Sequence, residues 1–157
     1  MSDFETIINT RRSIRKYKNK EVSDEDILKI LKAGMQAPGS RLNSEPWEFV
    51  VIKNKDKLSK LAEIKPRVKT SPVAILLVAN IERAFYKLHW QQDMAAAAEN
   101  MLLEAVEGRG REHVGIVFAQ PLVDFQFALR IPLGAFAFIF QFANSPNAVQ
   151  QIGRAHV

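Results

Sequence analysis

Asn43-Ser44-Glu45-Pro46-Trp47-Glu48-Phe49-Val50-Val51-Ile52 is a loop that turns directly into a strand, and it decides how the rest of the chain is read. Glu48–Ile52 is a short apolar run of strand length with no sustained polar alternation, as expected of a strand covered on both faces. Asn43, which can both donate and accept along one edge of a flat partner, stands just before it. Asn43 with Ser44 equally suits the start of a turn. Trp47 reads as a core anchor.

A second run, Pro72-Val73-Ala74-Ile75-Leu76-Leu77-Val78-Ala79, has the same continuous apolar character and reads as another central strand. Between the two, Lys55–Glu63 has the Leu58, Leu61, Ala62 spacing of a helix. Upstream, Ser23 precedes Asp26 in a capping-box arrangement, with Val22 and Ile27 placed as a hydrophobic staple. Ile27, Leu28, Leu31 and Met35 then form a helical stripe that Pro38, Gly39 and Ser40 bring to an end. Phe4, Ile7 and Ile8 give a short first helix one apolar face, and Arg11-Arg12-Ser13-Ile14-Arg15 follows where it stops. From Trp90 to Glu107, Met94, Ala97, Ala98, Met101, Leu102 and Ala105 recur at helical spacing, which predicts a deeply packed helix. Asp3 and Asp93 sit where a helix start favours a negative charge. Strands that are apolar on both faces need helices on both sides, so these elements predict an α+β fold of three layers, α/β/α, around a central mixed sheet of four or five strands.

The chain has 157 residues, 47% of them hydrophobic and 25% charged, which suits one substantial core. It contains no Cys, so no disulfide framework and no thiol nucleophile or cysteine zinc site is available. That usage fits a reducing cytoplasm. No run before residue 113 is long and apolar enough to span a bilayer, and the first residues lack the features of a signal peptide. The net charge is +5, with much of the positive charge scattered between positions 11 and 69. No basic stripe interleaved with aromatics is present, so a nucleic-acid partner is not expected. His89 and His113 lack carboxylate neighbours at metal or triad spacing, and no metal site is expected.

Three guanidinium groups and a hydroxyl within five positions can surround a phosphate dianion with fork-shaped donors. Such a run by itself is also a common solvated surface. Together with Asn43 to Trp47, and with the order of elements from Phe4 to Glu107, it resembles the nitroreductase family of FMN-dependent NAD(P)H oxidoreductases. The resemblance implies that Arg11, Arg12, Ser13 and Arg15 bind the phosphate, ribityl and pyrimidine edge of FMN. It also implies that Asn43 bonds the polar edge of the ring, with Pro38, Gly39 and Ser40 lining the same side. NADH or NADPH would supply reducing equivalents and a nitroaromatic, quinone or similar acceptor would take them in a ping-pong cycle. The chemistry would belong to the flavin, with no catalytic side chain. The family further implies a homodimer. Two alternatives stay open: a flavin-binding protein without redox turnover, and a relative of the same fold with different flavin chemistry, such as reductive dehalogenation.

The tail departs from this pattern. From His113 to Val157 the charged side chains are Asp124, Arg130 and Arg154, and seven of the ten Phe residues fall there. Gly108, Gly110 and Gly115-Ile116 match a family turn and strand loosely, and Phe136–Phe140 matches its final core strand. Ile152-Gly153-Arg154-Ala155-His156-Val157 can be back-translated as ATC GGA AGA GCA CAC GTC, which resembles a short-read sequencing adapter. The reading is therefore one FMN-binding domain over residues 1–151, incomplete or corrupted beyond about 107, and an artefactual tail over 152–157. A natural stop codon after the same tail in the encoding DNA would overturn it.

Overall fold

The structure is a computed structural model and describes residues 3–40, 45–107, 114–118 and 138–140. In chain order the elements are α1 (Phe4–Thr10), α2 (Asp24–Met35), β1 (Trp47–Ile52), α3 (Lys55–Ile64), a 3-10 turn (Pro66–Val68), β2 (Val73–Ala79), α4 (Trp90–Glu107), β3 (Val114–Phe118) and β4 (Phe138–Phe140). The strands form one sheet in the order β3-β2-β1-β4. β1 runs antiparallel to both β2 and β4, and β2 runs parallel to β3, so the sheet is mixed. Its register places Trp47 opposite Ala79 and Ile52 opposite Ala74.

Alternation along β1 and β2 divides the core in two. Trp47, Phe49, Val51, Val73, Ile75, Leu77 and Ala79 pack on one face with Ile27, Ile30 and Leu31 of α2 and with Met94, Ala97, Ala98, Met101 and Ala105 of α4. Ile52, Ala74, Leu76 and Val78 face the other way, onto Leu58 and Leu61 of α3 and Val68 of the 3-10 turn. Every residue of β2 is buried, which is why its sequence runs apolar without alternation. Three layers with a mixed sheet of four described strands result, as the apolar runs require.

Local chemistry sets the helix ends. The Ser23 hydroxyl accepts from the Asp26 backbone N–H at 3.1 Å and donates to the Asp26 carboxylate, closing the expected cap. Asn54 caps α3 by accepting from the Lys57 N–H at 3.1 Å. Pro72, which has no N–H to give a ladder, stands just before β2.

One expectation needs correction. The inward face of α2 is Ile27, Ile30, Leu31 and Gly34, whereas Leu28 and Met35 are half-buried. The face is rotated because α2 meets α4 and the sheet at Gly34, where an added Cβ would lie 2.8 Å from Met101 Cγ and 3.1 Å from Phe49 Cζ. α1 forms as read but buries none of its residues, and Phe4 and Ile8 are 65% and 48% exposed. Seven residues make only two turns, and α1 lies beside α4 without being enclosed. The Gly108 and Gly110 turn and the segment 152–157 lie outside the described residues.

Candidate functional site

The basic segment leaves α1 at its last turn, where the Arg11 backbone N–H donates to the Ile7 carbonyl at 3.0 Å. From there it is tied to the body of the protein at two points. Arg11 Nε pairs with Glu99 Oε1 of α4 at 3.1 Å, and the Tyr17 backbone N–H donates to Thr70 Oγ1 at 3.1 Å. Arg12 and Arg15 remain exposed and fold back on main-chain carbonyls. Arg12 Nη1 lies 2.8 Å from the Asn9 oxygen and 2.7 Å from the Arg11 oxygen, and Arg15 Nη1 lies 3.3 Å from the Ser13 oxygen. Ser13 is exposed as well. The segment thus presents three permanently charged forks and one hydroxyl at the surface, a donor set that suits a phosphate dianion. No group in it needs to lose a proton to do so.

Tyr17 closes this stretch. Burial holds its hydroxyl proton above the ordinary phenol range, and the nearby Arg67 charge offsets this only in part. The turn from Lys65 to Thr70 therefore lies beside Tyr17 and brings Arg67 near it. Arg67 and Thr70 were not marked by the sequence, because the approach depends on a tertiary hydrogen bond rather than on spacing. Beyond Tyr17 a cavity of about 720 Å³ opens between the sheet and α3, lined by Asn19, Lys53, Lys55 and Lys69 among others, and it includes none of Arg11, Arg12 and Arg15.

The second cluster follows α2. Ala37 is buried, Pro38 and Gly39 are exposed, and Ser40 is half-buried. The Ser40 hydroxyl donates to Asp93 Oδ2 in the first turn of α4. Asp93 is 7% exposed, one of two polar or charged residues buried among the described residues. Its sequence signal was an acidic residue in the first turn of a helix, just ahead of a run of alanines. Asn43, the remaining expected site residue, lies outside the described residues. Trp47, four residues on, is fully buried in the core beside α2 and α4, as a core anchor should be.

α4 therefore holds both clusters by carboxylates, at Asp93 and at Glu99. Six residues separate them, which is about 9 Å of helix rise and roughly a third of a turn around the axis. Within one copy the Arg segment and the Pro38–Ser40 turn attach to different sides of one helix. Among the described residues no group of side chains could hold a metal ion, and no helix is long and apolar enough to cross a membrane.

Comparison with known proteins places these clusters in context. The model of the nitroreductase family matches residues 8–103, which include the Arg segment, the Pro38–Ser40 turn and most of α4. A protein of Methanothermobacter thermautotrophicus, provisionally named NADH dehydrogenase/NAD(P)H nitroreductase, is 43% identical over 101 residues, covering 62% of this chain and 52% of that protein. An iodotyrosine deiodinase of Hydra vulgaris is 44% identical over 63 residues, 40% of this chain and 23% of its own. A provisionally named nitroreductase of Desulfovibrio desulfuricans, whose crystal structure was solved in complex with FMN, superposes with a TM-score of 0.59 at 35% identity, over 67% of this chain and 63% of that one. The chain thus spans about half to two thirds of the length of its nitroreductase-type relatives. With a family match extending over more than half of its residues, and with the same fold in solved relatives, the chain belongs to the nitroreductase family.

Proposed function

We propose that this chain holds FMN and serves an NAD(P)H-dependent oxidoreductase that reduces nitroaromatics, quinones or similar planar acceptors in alternating half-reactions. The observation that carries this reading is the run of half-buried Arg11 with exposed Arg12, Ser13 and Arg15, anchored at Glu99 and Thr70 in a chain of nitroreductase fold. Bound FMN would supply the redox chemistry, accepting reducing equivalents from the nicotinamide and releasing them to the acceptor. The protein's part is to bind and to orient. Arg11, Arg12 and Arg15 would fork onto the phosphate and place positive potential beside the pyrimidine edge, where negative charge develops on reduction. Ser13 would add a hydroxyl to the phosphate or ribityl group, and Asn43 would bond the polar edge of the ring. Pro38, Gly39 and Ser40 would line one side of the site.

A cytoplasmic homodimer belongs to the same reading. Phe4 and Ile8 leave an apolar strip exposed on α1, and the two clusters anchor on different sides of α4. A second copy would allow the Arg segment of one protomer to meet the Pro38–Ser40 turn of the other.

Anaerobic titration of the FMN-supplemented chain with NADH and then NADPH, following flavin absorbance, tests the proposal. Bleaching of protein-bound flavin supports it and identifies the donor. Bound flavin that stays oxidised favours a binding role without turnover, and absence of bound flavin overturns the flavin reading. The likeness to the Hydra iodotyrosine deiodinase supports a second reading, reductive dehalogenation at the same site. Halide release from an iodinated phenol under the same conditions would separate it from nitro or quinone reduction.

A further inference from the structure

Among the described residues, the mechanism proposed above leaves one buried carboxylate unused. Asp93 is 7% exposed, and its partner, the Ser40 hydroxyl, belongs to a segment 53 positions earlier in the chain. A carboxylate in such a place is costly to leave without hydrogen bonds. The first turn of α4 lowers that cost, because the backbone N–H groups at a helix start favour negative charge. The remaining stabilisation comes from Ser40.

This bond fixes a direction as well as a position. An ionised carboxylate can only accept, so the single proton of the Ser40 hydroxyl is committed to Asp93. Ser40 Oγ keeps its lone pairs, and Ser40 is half-buried rather than enclosed. It therefore faces any bound molecule as an acceptor. An acceptor suits an N–H or O–H group and repels a phosphate or carbonyl oxygen. On FMN the matching groups are the ring N–H and the ribityl hydroxyls.

We infer that Asp93 is a positioning residue of the flavin site: by taking the Ser40 proton it makes Ser40 Oγ an obligate acceptor for an N–H or O–H of FMN. The inference rests on the flavin reading of this site. It separates the two clusters chemically, since the Arg segment offers only donors to the phosphate whereas the Ser40 turn offers an acceptor to a different part of the same molecule. It also places a fixed negative charge behind that turn, in surroundings of low polarity where charge acts strongly. That charge opposes the gain of electron density on a nearby ring and so lowers the potential of bound FMN.

The test measures FMN dissociation constants by fluorescence quenching and the midpoint potential of the bound flavin, using the full chain. The variants are Asp93→Asn, Ser40→Ala and the double variant. Asp93→Asn keeps the shape but lets the amide donate to Ser40, which reverses the direction of the bond. Each single variant is expected to weaken FMN binding about tenfold, near the upper end for one hydrogen bond between neutral groups. The double variant is expected to lose no more than either single one, because both remove the same acceptor. The potential of bound FMN should rise in Asp93→Asn, a change that loss of packing alone would not produce.

Unchanged affinity and potential in Asp93→Asn would overturn the inference, as would a double variant whose loss is the product of the two single losses. If Asp93→Asn fails to fold, Ser40→Ala decides alone, and unchanged FMN affinity there overturns the inference. Failure of the unaltered chain to bind FMN would overturn the underlying flavin reading together with it, and that outcome is distinct because it appears before any substitution is made.

Discussion

Gly34 has two roles that pull in opposite directions. In a helix interior glycine is less favourable than alanine by about 1 kcal/mol. Here the missing Cβ lets α2 approach Met101 and Phe49, both of which are fully enclosed. Overpacking typically costs about 1–3 kcal/mol, so contact should outweigh propensity. Gly34→Ala is expected to be destabilised by about 1 kcal/mol in urea unfolding, and a more stable variant would show that Met101 yields easily. Tyr17 makes a prediction in pH. Its proton is held more tightly in the folded state than in the unfolded chain, where the phenol titrates near 10. A raised value of this kind leaves stability intact below the unfolded pKa and removes it as pH climbs toward the folded one. Tyr17→Phe should therefore lose less Tm than the natural chain as pH rises above the ordinary phenol value of about 10, measured by thermal melts in matched buffers. At this scale, residues whose role depends on nearby chain were legible. Trp47 beside Pro46 read correctly as a core anchor, and the Ser23 cap needed only its own turn. Asp93 read as a helix start but not as the partner of Ser40, since nothing local marks a bond between distant positions.

Among the elements, α4 connects the two clusters to the core. Its buried positions, Met94, Ala97, Ala98, Met101 and Ala105, follow helical spacing closely enough to be read from the chain. Its polar attachments do not. Glu99 pairs with Arg11, yet Glu99 is exposed and Arg11 only half-buried, and pairs open to solvent contribute roughly 0–1 kcal/mol. Glu99→Gln should thus leave the melting temperature almost unchanged while freeing Arg11 and removing a negative charge beside the proposed phosphate position. FMN affinity is expected to rise about twofold to fivefold at low ionic strength, with the gain shrinking in salt. A weaker affinity would mean that Glu99 holds Arg11 in its binding pose. The inward face of α2 was misread by part of a turn because the close approach at Gly34 selects Ile30 over Leu28 and Met35. For α1, apolar spacing identified a helix but could not say whether anything would cover it.

For the whole molecule, the two continuous apolar strands revealed the layers and the sheet's central pair. They did not reveal which strands flank that pair, because pairing partners are chosen by long connections that leave no local pattern. The register of the sheet carries one further consequence, for the time course of folding. β1 and β2 are joined by the short span of α3 and the 3-10 turn, so their pairing closes a modest loop. β4 reaches β1 only from residues 138–140, and that longer closure spends about 1 kcal/mol more chain entropy before any contact repays it. The centre of the sheet should therefore assemble early and the β4 edge late. Pulse-labelled hydrogen exchange during refolding is expected to protect the amides shared by β1 and β2 before those shared by β1 and β4. A ribosome-bound chain released only as far as α4 would already contain the layers that carry both clusters, so their assembly would begin before the last strand is made.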